Sequence, residues 1–183
     1  MTQRLNSVTN PEGKAADLLG AVKAKLGATP NLFTAFANAP TAMEGYLSLN
    51  TALQSGALNS KFKEKLALTV AGLNGCDYCA SAHTFLGEKA GIDKEELALN
   101  LQGKSNNAMC QAGLDFVTKV VNGRGHVSNE DIQAVRDAGF SDERIVEMIA
   151  HIALNTLTNY FNEVFQIEID FPAVSTRDTQ KAA

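Results

Sequence analysis

The chain has 183 residues, 45% of them hydrophobic, and a formal net charge of −4, enough for one well-buried domain and short for two. An acidic chain lacks the basic patch that nucleic acid or an anionic membrane surface requires, and no run of 18 apolar residues suggests a span. Three cysteines are too few and too odd a number for a disulfide framework. The first residues, MTQRLNSVTNPEGK, carry no apolar core of a secretory signal, so a reducing, cytoplasmic location is expected.

Residues 1–8 read as a loose leader. Asn10-Pro11-Glu12 reads as a helix start with Asn as cap and Pro at the first helical position. Leu18, Leu19, Val22 and Leu26 follow at helical spacing until Gly27. A short helix is expected over 31–37, where Leu32, Phe33 and Phe36 read as core side chains rather than substrate contacts. Pro40 opens another helix carrying Met43, Tyr46, Leu47, Asn50 and Leu53.

A pair of helices comes next. The first is expected from about Ser60 to Leu73, with Phe62, Leu66, Thr69, Val70 and Leu73 at helical spacing, and Asn74-Gly75 breaks it. The second runs from about Cys76 to Ala90 and stops at Gly91. Cys76, Cys79, Ala80, His83 and Gly87 share one face of it. Glu64 precedes the break, and His83 follows it, by about 12–15 Å of helix each, which sets them at similar heights on neighbouring helices. Glu64 lies in line with Leu68 and Ala71, whereas Lys61, Lys63 and Lys65 point elsewhere. A carboxylate on an apolar stripe is half-buried and needs a partner, and His83 is the candidate.

Beyond Gly91, Ile92 and Asp93 read as a staple and cap for a short helix ending near Gln102-Gly103. A longer helix is expected from Asn106 to about Asn122, and Ser128-x-x-Asp131 reads as a capping box for one ending at Ala138. Ser141 caps the last, from about Asp142 to Gln166. Its flank of Ile145, Met148, Ile149, Ile152, Ala153, Thr156, Tyr160 and Val164, widened by Leu154, Leu157, Phe161 and Phe165, predicts a deeply embedded helix. The remaining stripe, His151, Asn155, Thr158, Asn159 and Asn162, is either a solvated edge or the lining of an interface or of a cavity beside the thiols; for His151 alone a structural role is favoured over a catalytic one. The tail 173–183 is polar and expected to fray. With no period-two segment, the chain is expected to be all-α: a single domain over 1–183 with its core over about 25–172.

Cys76-x-x-Cys79-x-x-x-His83 supports three readings. Zinc would need a fourth ligand, with Cys110 the distant candidate; inert core thiols are a second. In the redox reading, a helix N-terminus favours a thiolate, and two cysteines three apart on a helix can close a disulfide. His83 lies one turn beyond Cys79 and serves it, Glu64 orients the imidazole, and Cys76 resolves the oxidised product.

Glu64-x11-Cys76-x-x-Cys79-x-x-x-His83, with LGATPNLF, NGCDYCASAHT and NTLTNYFN…IDFP around it, resembles the AhpD-like alkyl hydroperoxidases of the carboxymuconolactone decarboxylase superfamily, in their peroxidase-related branch. The resemblance implies an all-α fold, a homo-oligomer (trimers, or dimers and hexamers), and reduction of organic hydroperoxides with no bound cofactor, an external dithiol such as a lipoyl-bearing protein being the reductant. Cys79 would be peroxidatic, Cys76 resolving, and Glu64 and His83 a proton relay. Tyr78 stands where the best-known member has a His, and a phenol is no base at neutral pH. Tyr78, His151, Asn155 and Asn159 are the candidates to support the four. A thiol–disulfide oxidoreductase acting on other proteins, and a non-enzymatic helical oligomer binding a metal or small ligand, are the alternatives; the lactone decarboxylase activity that names the superfamily gains nothing from CxxC and ranks last.

Overall fold

The computed structural model describes residues 2–177. Nine helices and no strand occur among them: α1 (Gly13–Leu26), α2 (Asn31–Phe36), α3 (Pro40–Gln54), α4 (Ser60–Asn74), α5 (Asp77–Lys89), α6 (Lys94–Asn100), α7 (Ala108–Asn122), α8 (Asn129–Asp137) and α9 (Asp142–Phe165). No helix among the described residues is long and apolar enough to cross a membrane.

Everything is built on α4. Asn59 caps its start by accepting from the Phe62 amide, and Gly75, at φ 69°, closes it in the left-handed conformation that Gly adopts without a steric penalty. Leu68 and Ala71 face a core shared with α1, α2, α3 and α5. Leu66 and Val70 face a second core shared with α7, α8 and α9. A helix that is apolar on opposite sides must be surrounded, and α4 packs on α5, α6, α7 and α9. Gly72 permits the closest approach: a Cβ there would stand 1.9 Å from the Leu101 carbonyl oxygen.

Two lysines of α4 are not where their charge suggests. Lys65 is buried and pairs with Glu96 of α6 at 2.6 Å. Glu96 also accepts from Ser105 Oγ, Asn100 Nδ2 and the Asn106 amide. Burial alone would raise the Glu96 carboxyl, but these partners outweigh it and hold it at about 2. Its stabilising effect is therefore complete above pH 4.5, its ordinary value, and is lost as the pH falls toward about 2. Glu96→Ala leaves Lys65 buried without a counter-charge and is expected to cost about 3 kcal/mol, measured by urea unfolding at pH 7. Lys63 is buried too, its ammonium donating to the Leu53 and Gln54 carbonyls at the end of α3.

Several local expectations need correction. The cap of α1 is Glu12, with no side-chain bond, and Gly13 at φ 53° opens the helix; Asn10 and Pro11 lie before it, in a bend. Residues 2–8 are not loose: the Arg4 amide donates to Phe165 O, the Val8 amide to Thr34 O, and Leu5 and Val8 pack on the first core. The tail is tied down as far as it is described. The Val174 amide donates to Ser81 Oγ, and the amide and hydroxyl of Thr176 donate to Asp77 Oδ1; residues 178–183 lie outside the described residues. The short helix α6 ends at Asn100, two residues early, and α7 starts at Ala108 with Asn107 as its cap. The capping box of α8 forms as read, with Ser128 and Asp131 bonding reciprocally.

The largest correction concerns α9. Met148, Ile152 and Leu154 are buried, but Val146, Ile149, Leu157, Tyr160 and Val164 are exposed. The polar stripe is what faces inward: His151, Asn155, Thr158, Asn159 and Asn162 are all buried. Buried polar groups need partners, and α9 meets them at the start of α5.

Candidate active site

Cys76 is the N-cap of α5. Its sulfur accepts from the Cys79 amide at 3.4 Å, the bond a Ser or Asp side chain makes at this position. Cys79 therefore sits in the first turn, within reach of unpaired amides and the positive end of the helix. Both thiols are enclosed, Cys76 at 0% and Cys79 at 4% exposure.

The two sulfurs are driven apart in acidity. The Cys76 thiol donates to Cys79 and so stays protonated; that bond, helped by burial, pushes it far up. The same bond is the largest influence lowering Cys79. Burial opposes it, and the nearby His83 charge and the Asn162 and Asn159 amides add to it, bringing Cys79 to about 6. Asn162 Nδ2 donates to Cys79 Sγ at 3.2 Å. Asn159 is held through its carbonyl oxygen by Asn74 Nδ2 at 2.9 Å, and its own NH2, buried without a close partner, acts on the sulfur at longer range. Replacing Asn162 with Leu keeps the volume and removes the donor. The expected result is a rise of the Cys79 pKa by about one unit, followed by thiolate absorbance, with secondary structure unchanged.

Glu64 meets His83 as the spacing requires. Oε2 lies 2.8 Å from Nδ1, and both side chains are half-buried. A carboxylate only accepts, so Nδ1 carries a proton and Nε2 is left to serve the site. Burial works against a charged imidazole here, but Glu64, its hydrogen bond, the Cys79 charge and Asn155 together raise His83 above 6.5. The combination is a thiol made more acidic beside an imidazole whose protonated form is favoured by the carboxylate that orients it.

The Tyr78 hydroxyl bonds away from the sulfurs. It donates to Asp170 Oδ1 at 2.8 Å and accepts from the Leu32 amide at 3.2 Å. Asp170 Oδ2 accepts from the Asn31 amide. Tyr78 thus locks the start of α5 to α2 and to the segment after α9, and stands close enough to Cys79 for the two to interact electrostatically. Cys110, the fourth-ligand candidate for zinc, packs against the second core, apart from Cys76 and Cys79. Among the described residues no three His, Cys, Asp or Glu side chains are grouped to hold a metal.

A cavity of about 390 Å³ opens beside the relay. Its apolar wall includes Val22, Phe33, Leu47, Leu86 and Leu154; its polar wall includes Tyr46, Glu64, His83, His151 and Asn155. Phe33, read as core, serves both core and cavity. The sulfurs are not in the wall. Tyr46 and His83, which are, lie close enough for their charges to couple to Cys79. Of the polar stripe, His151 and Asn155 reach the cavity and Asn159 and Asn162 the thiols. The sequence placed Asn162 only within the polar stripe, without a contact to Cys79, and gave Tyr46 and Lys63 no part in the site.

The carboxymuconolactone decarboxylase family model matches residues 40–104, the segment that holds Glu64, both thiols and His83. That segment, about a third of the chain, is similar to the carboxymuconolactone decarboxylase family, and the fold around it is AhpD-like. No curated protein matches the sequence. The AhpD-like fold extends over almost the whole chain. A structure from Ralstonia eutropha JMP134, described as an alkylhydroperoxidase AhpD core and an uncharacterized peroxidase-related protein, is 24% identical, with 90% of this chain and 92% of that one covered and a TM-score of 0.79. A peroxidase-related protein from Silicibacter sp. TM1040 is 20% identical over 91% of each chain, TM-score 0.80. The debrominase Bmp8, in complex with 2,3,4-tribromopyrrole, is 18% identical over 99% of each, TM-score 0.74. At these identities the likeness is one of fold.

Proposed function

We propose that this AhpD-like protein is a thiol-dependent peroxidase that reduces organic hydroperoxides. The observation that carries the reading is the geometry of the thiol pair, Cys76 capping the turn that holds Cys79, Asn162 donating to Cys79, and a Glu64-oriented His83 beside them, an arrangement that favours the Cys79 thiolate over that of Cys76. The Cys79 thiolate attacks the terminal peroxide oxygen; an S–O bond forms and the O–O bond breaks. The leaving alkoxide takes its proton from His83, giving the alcohol. Cys76 then condenses with the Cys79 sulfenic acid, releasing water and forming the disulfide. An external dithiol returns both thiols, and a reducing cytoplasm suits that step. The enclosure of both sulfurs favours a slender reductant such as a lipoyl arm, and weighs against the alternative of exchange with bulky protein disulfides.

The test is peroxide loss on mixing pre-reduced protein with cumene hydroperoxide and no reductant. One equivalent consumed, with two thiols lost, supports the reading. Thiols lost to a protein disulfide but not to peroxide would replace it with the oxidoreductase.

A homo-oligomer is part of the proposal. Val146, Ile149, Ala153, Leu157, Tyr160 and Val164 recur at steps of three and four along the outer face of α9, with no charge among them. So long an apolar stripe is normally covered. The mass in solution is expected to be a multiple of 19.5 kDa, and Leu157→Glu with Tyr160→Glu is expected to yield monomer, read by light scattering.

A further inference from the structure

The cavity carries a charge pattern that peroxide chemistry does not require. In a chain of net charge −4, its wall holds two lysines, Lys25 near the mouth and Lys63 inside, and one carboxylate, Glu64. Glu64 is already engaged by His83. Lys63 is only 8% exposed, and among the described residues no carboxylate lies within ion-pair distance of it. Its two acceptors are backbone carbonyls, and an ammonium has a third N–H. Beside it in the wall is His151, 4% exposed, whose Nε2 is buried with no hydrogen-bond partner. A buried cation with no direct ion pair, Glu147 acting on it and on His151 only from beyond ion-pair distance, and a buried ring nitrogen without a partner are both costly to leave so.

We propose that the cavity binds organic acids, with Lys63 and His151 holding the carboxylate and the apolar wall of Val22, Leu47, Leu86 and Leu154 holding the hydrocarbon body. One group then satisfies both orphans. A buried anion is favourable only with charged or hydrogen-bonding partners, and bonds to charged groups are the strong ones. The volume, about 390 Å³, lies in the lower part of the range for small-molecule sites, roughly 300–1,000 Å³, and suits a medium-length chain. This deepens the peroxidase reading and rests on it for one consequence only: the preferred substrates are hydroperoxides that also bear a carboxylate.

The experiment compares decanoate with decan-1-ol, equal in chain length, binding to the reduced wild-type protein by calorimetry. Decanoate is expected to bind one per chain and at least about tenfold more tightly, the margin of a charged hydrogen bond. Lys63→Met is expected to remove that margin and Lys63→Arg to keep most of it. Lys63 also holds the end of α3, so folding of each variant is checked by circular dichroism; should Lys63→Met unfold, His151→Leu gives the second arm, with an expected loss of severalfold for decanoate alone. Equal affinity of the acid and the alcohol for wild-type protein overturns the proposal, as does an unchanged preference in a folded Lys63→Met. The binding measurement involves no thiol, so an acid-selective cavity in a protein without peroxidase activity refutes the function and leaves this inference standing. Peroxidase activity with the same KM for a carboxylate-bearing hydroperoxide and its methyl ester does the reverse.

Discussion

Cys79→Ser is expected to bring peroxide turnover down to the uncatalysed rate, while Cys76→Ser still removes one equivalent and then stops. The reasoning starts from ionisation. With its pKa at about 6, Cys79 is about nine-tenths thiolate at pH 7, against about one part in a hundred for a thiol left at 9. A serine hydroxyl has no such anion, yet it fits the site and still accepts from Asn162, so the fold is kept. At position 76 the choice of replacement matters. Serine preserves the O–H donor that is the largest influence lowering Cys79, so the single burst stays fast. Alanine removes the donor along with the resolving sulfur, so the Cys76→Ala burst is expected to be slower and to recover at higher pH. Stopped-flow peroxide consumption across pH 5–9 separates the two, and mass spectrometry detects sulfenic or sulfinic Cys79 in both. Full steady-state turnover by either Cys76 variant would remove the resolving role.

Loss of the relay has the second-largest effect. Glu64→Gln and His83→Gln are each expected to slow the attack step by about 10²–10⁴ if proton transfer to the leaving oxygen is the contribution lost. The pH profile identifies the cause. The wild-type rate needs Cys79 ionised and His83 protonated, so it rises through about pH 6 and falls again through the His83 pKa, above 6.5. Glu64 is the leading influence that raises His83. Without it the imidazolium loses its proton at lower pH, so the alkaline limb of Glu64→Gln moves down while the acid limb stays. The double variant is expected to be no slower than His83→Gln alone, because the carboxylate acts only through the imidazole. A full additive loss would mean that Glu64 touches the substrate independently.

How much of this was legible in the sequence depended on distance along the chain. The helix pair α4–α5 was readable to within a residue because its signals are local: the Asn59 cap, the Gly75 break and the Cys76–Cys79–His83 spacing. Glu64 and His83 could be paired because only two residues, Gly75 and Cys76, separate their helices, so height along each helix fixes the match. The orientation of α9 was readable only in part: the uncharged polar stripe allowed the inward face that it takes, but not which apolar flank is buried. Both of its flanks are apolar enough to be buried, and the deciding fact, that Asn159 and Asn162 meet a thiol and Asn74, lies about eighty residues away. Lys63 and Lys65 were read only as pointing away from the Glu64 stripe, because their partners, the α3 carbonyls and Glu96, are set by tertiary packing. Tyr78 was judged against the residue it replaces, whereas Asp170 and the Leu32 amide decide where its hydroxyl goes. The leader and residues 173–177 of the tail were misread for the same reason: backbone amides that bond to Phe165, Thr34 and Ser81 leave no trace in composition.

Cys76 terminates α5 with the same atom that would join a disulfide. If that disulfide forms, the Cys79 amide loses part of its acceptor, and the first turn of α5 is expected to loosen. Deuterium uptake at that amide becomes a readout of how many electrons the site holds. Reduction restores the turn, so the restoring reagent works partly with the folding free energy of one helical end.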